Sequence, residues 1–172
     1  MRRKGWSGAI LLIGLVLCAG DLRAQVFLSP EHERIAFLAG EWRTTSEFPD
    51  GTVVEGDLTY RWVMGGAWMQ VEFRGEPPDG SLWEAHVMQR WNPAEEEYEA
   101  WSFPEEGDPI RYRGASPESG FFRIERTDPE GTTSGIDYRE REDGSVHQEN
   151  WILENGERRV TLRTTYEAAG GG

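Results

Sequence analysis

The sequence predicts an all-β protein: a closed or flattened antiparallel up-and-down barrel of about ten strands with a short N-terminal helix. Three observations carry that expectation. Turn chemistry recurs at near-regular spacing from Pro49 to Gly156. Several of the segments between turns alternate apolar and polar residues with a period of two, as a sheet with one covered face does. No second helix long enough to cover an open sheet is encoded, so the sheet must cover itself, and closure removes both unpaired edges.

The leader comes first in the chain. Arg2-Arg3-Lys4 is a positive start, Ala9 to Ala19 is an apolar run, and Leu22-Arg23-Ala24 puts a small residue before a cut at Gln25. Residues 1–24 therefore read as an export signal, and the location expected is periplasmic or extracellular. The apolar run is shorter than the roughly 20 residues a permanent membrane helix needs, so no permanent membrane span is expected. A lipoprotein route would use Cys18, but Leu17 stands where such signals carry a small residue.

Removing the leader changes the balance of charge. The whole chain has a net charge of −13; residues 25–172 keep 14 basic and 30 acidic residues, a net of −16, and contain neither Lys nor Cys. The domain expected over 25–167 has no disulfide and rests on its core, which its size allows. Its acidity argues against nucleic acid and anionic lipid as partners. Solubility in an exported protein explains the same charge.

Ser29-Pro30-Glu31 has the chemistry of a helix start: Ser to cap free N–H groups, Pro at the first position, Glu at the positive end. Ile35, Phe37 and Leu38 supply an apolar face, and Gly40 is the expected stop. A helix of about ten residues is not stable alone, so it is expected to plug or flank the barrel end where Trp42 lies.

Ten strands are then expected at 41–48, 52–63, 67–75, 81–91, 97–103, 110–115, 121–127, 132–140, 145–153 and 157–166. The breaks include Pro49-Asp50-Gly51, Pro77-Pro78-Asp79-Gly80, Asn92-Pro93, Asp128-Pro129-Glu130-Gly131 and Asn155-Gly156, which supply the fixed or positive φ of tight turns. Val54, Leu58, Tyr60 and Trp62 form the inward set of the second strand, Met69, Val71 and Phe73 that of the third, and Val160, Leu162 and Tyr166 that of the last. Residues 168–172 have nothing to bury and are expected to fray.

Gly40-Glu41-Trp42, after a short helix and at the head of the first strand, resembles the Gly-x-Trp signature of the calycin group, which includes lipocalins and fatty-acid-binding proteins. His32 to Arg43, with Trp83 to Trp101, resembles secreted bacterial lipocalin-like domains of unknown function. The resemblance implies that Gly40 and Trp42 are structural, with the indole closing one end of the barrel under Arg159 or Arg163. A guanidinium over an indole is worth about 0.5–2 kcal/mol. The chain departs from the group in lacking a disulfide pair and a clear Arg-x-Tyr arrangement for a carboxylate, so the group's ligands do not transfer with the fold.

Two sets of residues carry chemistry. Trp62, Trp83, Trp101 and Trp151 suit a flat or apolar ligand in the lumen, oriented by polar residues such as Thr44, Ser46, Gln148 and Asn150. The alternative for the rings is plain barrel packing. The second set is Glu84 with His86 and His147 with Glu149, each pair two residues apart on one strand face. Facing inward, they have the donors for a metal or haem, or for acid–base work; facing outward, they are solvated surface pairs. Alternation alone does not settle their direction. Gln148 and Asn150 lie on the opposite face of the ninth strand from His147 and Glu149, so the two sets need opposite faces there, while Trp151 shares the His147 face.

Hydrolase, zinc-protease, phosphate-loop and covalent-haem motifs are absent from the sequence. Glu95-Glu96-Glu97 and Glu105-Glu106 are turn-side charge runs. The function expected is an exported, non-enzymatic binding protein for a small apolar or amphipathic molecule. The alternatives are a haem- or metal-dependent barrel using His86 and His147, and a domain that recognises another protein at its rim. No particular cofactor or oligomeric state is indicated.

Overall fold

The computed structural model describes residues 28–170, so the expected leader lies outside the described residues. The described residues form a helix α1 (Pro30–Arg34), 3-10 turns at Ala36–Leu38 and Met64–Gly66, and ten strands. These are β1 (Gly40–Glu47), β2 (Val53–Val63), β3 (Trp68–Glu76), β4 (Trp83–Asn92), β5 (Glu97–Phe103), β6 (Ile110–Ala115), β7 (Phe121–Thr127), β8 (Thr133–Glu140), β9 (Val146–Glu154) and β10 (Glu157–Ala168). Each strand pairs antiparallel with its neighbour in sequence, and β1 pairs with β10 to close the ring. The ten expected strands match these to within two residues at either end.

Four details depart from the sequence reading. First, α1 is one turn and then gives way at Ile35 (φ −106°, ψ 6°) to the 3-10 turn. That break lets both Ile35 and Leu38, fully buried, face the barrel. Second, Gly40 does not cap the helix. It is the first residue of β1, at φ +155°, where an L side chain is strained, and the Trp42 indole lies 3.5 Å from where a Cβ would stand.

Third, no arginine among the described residues covers Trp42. Its Nε1–H donates to the Leu38 carbonyl at 2.9 Å, and its ring lies 6.2 Å from that of Tyr166. Arg159 and Arg163 are instead held by Glu154 and Glu149. Fourth, the register of β10 against β9 shifts between Val160 and Leu162. Val160 lies opposite outward-facing Trp151 while Leu162 lies opposite Asn150, so Val160 is on the outer wall. The strand also runs on to Ala168, which pairs with Trp42, and Ala169 N–H donates to Glu41 O at 2.9 Å. Ladder pairing needs only backbone, so a side chain with nothing to bury does not end a strand.

The N-terminal segment seals one end. Ser29 Oγ accepts the His32 N–H at 3.3 Å and so caps α1. His32 is buried; its Nε2 accepts the Trp91 N–H at 3.1 Å, and its ring meets Trp62 edge-on at 5.0 Å. The Tyr98 hydroxyl donates to the Glu31 carbonyl. Above this plug, Tyr98 and Phe122 meet edge to face at 5.1 Å and Phe122 stacks on Tyr138 at 5.8 Å, the offset and T-shaped arrangements that aromatic quadrupoles favour.

Candidate functional site: the barrel lumen

Inward-facing rows leave a cavity of about 260 Å³ along the barrel axis. At ~30 Å³ per water, that is the space of roughly nine waters, or of one small organic molecule. Its lining divides by strand. Leu58, Val71, Phe73, Val87, Ile124 and Ile136, from β2, β3, β4, β7 and β8, form an apolar wall. Thr44 and Ser46 of β1, Thr164 and Tyr166 of β10, and Gln148 and Asn150 of β9 form a polar arc on three adjacent strands. Among the described residues, no Asp, Glu, Arg or His lines the cavity.

Register explains the arc. Thr44 lies opposite Tyr166, Ser46 opposite Thr164, and Thr164 opposite Gln148, so short polar side chains sit side by side around the wall. Most are satisfied within the arc. Ser46 and Thr164 share a hydroxyl hydrogen bond of 3.0 Å, the Tyr166 hydroxyl donates to Gln148 Oε1, and Gln148 Nε2 donates to Asn150 Oδ1. Thr44 is the exception: its Oγ1 is buried with no partner. A hydroxyl taken out of water and left unbonded is costly, so Thr44 is a point of stored instability in the arc.

Tyr60, Tyr138 and Tyr166 bring their hydroxyls together across the cavity. Burial pushes all three well above the ordinary phenol range, and each tyrosine is pushed further by a neighbouring one. They stay protonated at neutral pH, so the arc offers neutral donors and acceptors rather than charge. Across the cavity, Gln89 donates from Nε2 to Met69 Sδ at 3.1 Å.

The plug closes the end carrying the 93–96 turn, so the way in is the opposite end, bounded by residues 48–52, 77–82, 104–109, 128–132 and 155–156. Phe48 and Trp83 meet edge to face at 5.6 Å on this rim, and Leu82 and Trp83 are exposed there.

The residues singled out from the sequence fall in different places. Gln148 and Asn150 line the cavity, as do Thr44 and Ser46. Trp62, Trp83, Trp101 and Trp151 are not among the lining residues. Trp62 faces inward but belongs to the plug beside His32, and Trp83 stands on the rim. Alternation turns Trp101 outward from lining Ser102, and Trp151 outward from lining Asn150. The Arg111 guanidinium sits 5.8 Å from the Trp101 ring. Trp151 lies over Gly135, between Arg158 at 4.8 Å and Arg123 at 5.6 Å, with its Nε1–H donating to Asp137 at 2.9 Å. These rings brace the outer wall.

Glu84 and His86 alternate with lining residues Ala85 and Val87, and His147 and Glu149 with Gln148 and Asn150. Both pairs therefore face solvent. β4 and β9 are five places apart in a ring of ten, on opposite walls, so the expectation of a metal or haem held jointly by the two pairs is corrected by that separation. His147 Nδ1 faces Arg141 Nη2 at 2.7 Å; partial burial and that guanidinium hold the imidazole below its ordinary pKa. Glu149 bonds Arg163 and Arg158. No cluster of three or more His, Cys, Asp or Glu with metal-binding geometry occurs among the described residues.

The lumen tyrosines are the chemistry that the sequence reading did not single out. Tyr60 and Tyr166 stand in the inward sets of the second and last strands, and that alternation is the signal that could have found them.

A family model described as a protein of unknown function (DUF1579) matches residues 28–119. No curated protein matches. Among solved structures, the chain is similar to EF1p2_mFAP2b bound to DFHBI, at 11% identity over 80% of this chain and 98% of that one, TM-score 0.47. It is also similar to a de novo designed fluorescence-activating β-barrel, at 14% identity over 77% of this chain and 94% of that one, TM-score 0.43.

Proposed function

The chain belongs to the DUF1579 family of proteins of unknown function, and for this member we propose a non-enzymatic binding module that takes one small amphipathic molecule into its lumen. The observation that carries the reading is the two-sided lining: an apolar wall faces a neutral polar arc, and the arc keeps one buried hydroxyl, that of Thr44, unbonded. An apolar body against Ile124, Ile136 and Phe73 supplies the driving force, and a hydroxyl, carbonyl or amide on the other side meets the polar arc of β1, β10 and β9. Neutral hydroxyls and amides bonded to one another suit orientation of a guest better than proton transfer, which favours carriage over catalysis.

The calycin-like character of the barrel belongs to the same reading, supported by the Gly-x-Trp start, the short plug and the closed meander. So does export to the periplasm or beyond, supported by the leader-like residues 1–24 and by the absence of Cys after them. Among the described residues no helix is long and apolar enough to cross a membrane. The outer wall also carries rows of Arg and Glu, such as Arg163 with Glu149 and Arg61 with Glu72. A lipid-facing barrel needs an apolar band there.

Calorimetric titration of the purified protein with 1-octanol tests the reading. One molecule should bind per chain, and Ala85→Phe, which puts a ring into the lumen, should abolish binding while leaving the circular dichroism of the barrel unchanged. Absence of binding, or binding that Ala85→Phe leaves intact, refutes it.

A further inference from the structure

We propose that the mouth of the lumen carries an anion-recognising residue, Arg126, so that the guest is acidic at one end: a carboxylate, or another small anionic group, on an apolar body. The inference rests on the lumen-binding reading and names the class of ligand for that site.

Phe122 and Ile124 of β7 face the interior, and Arg126 is the next inward position toward the open rim. Its guanidinium lies 5.8 Å from the ring of Tyr112, itself a lining residue. Arg126 Nε is buried and has no hydrogen-bond partner among the described residues. No ion pair forms at Arg126 among the described residues.

That isolation is informative in a chain with 31 acidic residues against 18 basic. A contrast lies on the same ring of positions: Arg126 is opposite Ser134, Ser134 opposite Ile152, and Ile152 opposite Arg159. Arg159 is neutralised by Glu154 through two hydrogen bonds of 2.7 and 2.8 Å. The one guanidinium is spent on a carboxylate of the protein; the other is not.

A guanidinium presents a planar fork that matches a carboxylate, and partial removal from water strengthens the pairing. With the anionic group at Arg126, the guest's apolar body passes Ile124 and Ile136 into the cavity, and the neutral polar group of the lumen reading lies further in, at the polar arc. The acidic surface elsewhere leaves this cation as a local site rather than part of a basic patch, so recognition depends on the guest's body being in the lumen.

The test compares octanoate with 1-octanol at pH 7 on wild type, Arg126→Gln and Arg126→Lys, with thermal unfolding confirming that each variant folds. Wild type should bind octanoate about tenfold or more tightly than octanol, and added salt should weaken only octanoate. Arg126→Gln should remove the preference and leave octanol unchanged, and Arg126→Lys should keep part of it. If octanol binds while octanoate binds no better, or if Arg126→Gln keeps the preference, the inference is overturned and the lumen reading stands. If neither molecule binds, both fall. Should the Gln variant not fold, wild-type preference and its salt dependence still decide the matter.

Discussion

Thr44→Val tests the reading of the polar arc in the ligand-free protein. Thr44 is 2% exposed, and its Oγ1 has no partner. Val keeps the β-branched shape that suits a strand and replaces the hydroxyl by a methyl. A buried hydroxyl without a bond costs about 1–3 kcal/mol, so its removal should stabilise the ligand-free protein by about 1–2 kcal/mol. For a domain of this size, that is a rise in Tm of roughly 2–4 °C per kcal/mol. Ser46→Ala, two residues along the same strand, should do the reverse. It breaks the 3.0 Å bond to Thr164 and strands that hydroxyl, costing about 1–2 kcal/mol.

Equilibrium urea unfolding at pH 7, with m-values compared, reads both changes. Opposite signs at two neighbouring lumen hydroxyls cannot come from a general effect of polarity. A Val variant that is neutral or less stable would show that Thr44 Oγ1 is already satisfied, and the argument from its isolation would fail.

Three further outcomes follow from other parts of the barrel. Gly135→Ala places a Cβ 2.4 Å from Trp151 Cζ2 and 2.8 Å from the Ile124 carbonyl, so unfolding should show a loss of about 1–3 kcal/mol; an unchanged midpoint would mean the Trp151 ring is free to move. Burial holds His32 below its ordinary pKa, opposed by Glu31, and its neutral Nε2 accepts from Trp91. The stability it contributes is therefore complete above its ordinary value of 6.5 and lost as pH falls below it through the folded-state pKa; His32→Gln should remove that step from a stability–pH profile. For Asp137, burial alone would raise the pKa, but hydrogen bonds from Arg123, Arg158 and Trp151 hold it at about 2. Its contribution, about 2 kcal/mol, should be present above pH 3.8 and lost as pH falls toward 2, and Asp137→Asn should flatten that acid limb.

The fold was legible because its determinants are local. Pro-Asp-Gly and Asn-Gly turns announce strand ends whatever surrounds them, and Val54, Leu58 and Tyr60 announce a face by alternation alone. The site was legible only in part, for the same reason. Gln148 and Asn150 were lumen residues under only one of two readings of their strand, and the direction of His147 and Glu149 followed once those neighbours were seen to face inward. Tryptophan misled because a large ring buries equally well on either wall. Trp151 is buried on the outside by Arg158 of the next strand and by Arg123 and Gly135, which are distant in sequence. The bulge at the head of β10 left no mark at all, since Val160 continues the alternation of Leu162. Arg126 depended on a non-event, the lack of a carboxylate across the rim, which only three-dimensional neighbours reveal.

Crystals of the protein soaked with 8-bromo-1-octanol, measured at the bromine absorption edge, test the central claim most directly. The account predicts one anomalous peak inside the barrel, along the wall of Ile124, Ile136 and Phe73, with the alcohol facing the Thr44 and Tyr166 arc. A lumen without a peak, or bromine found only in the outer hollow formed by Met64, Trp68, Met88, Trp101 and Phe103, would contradict it.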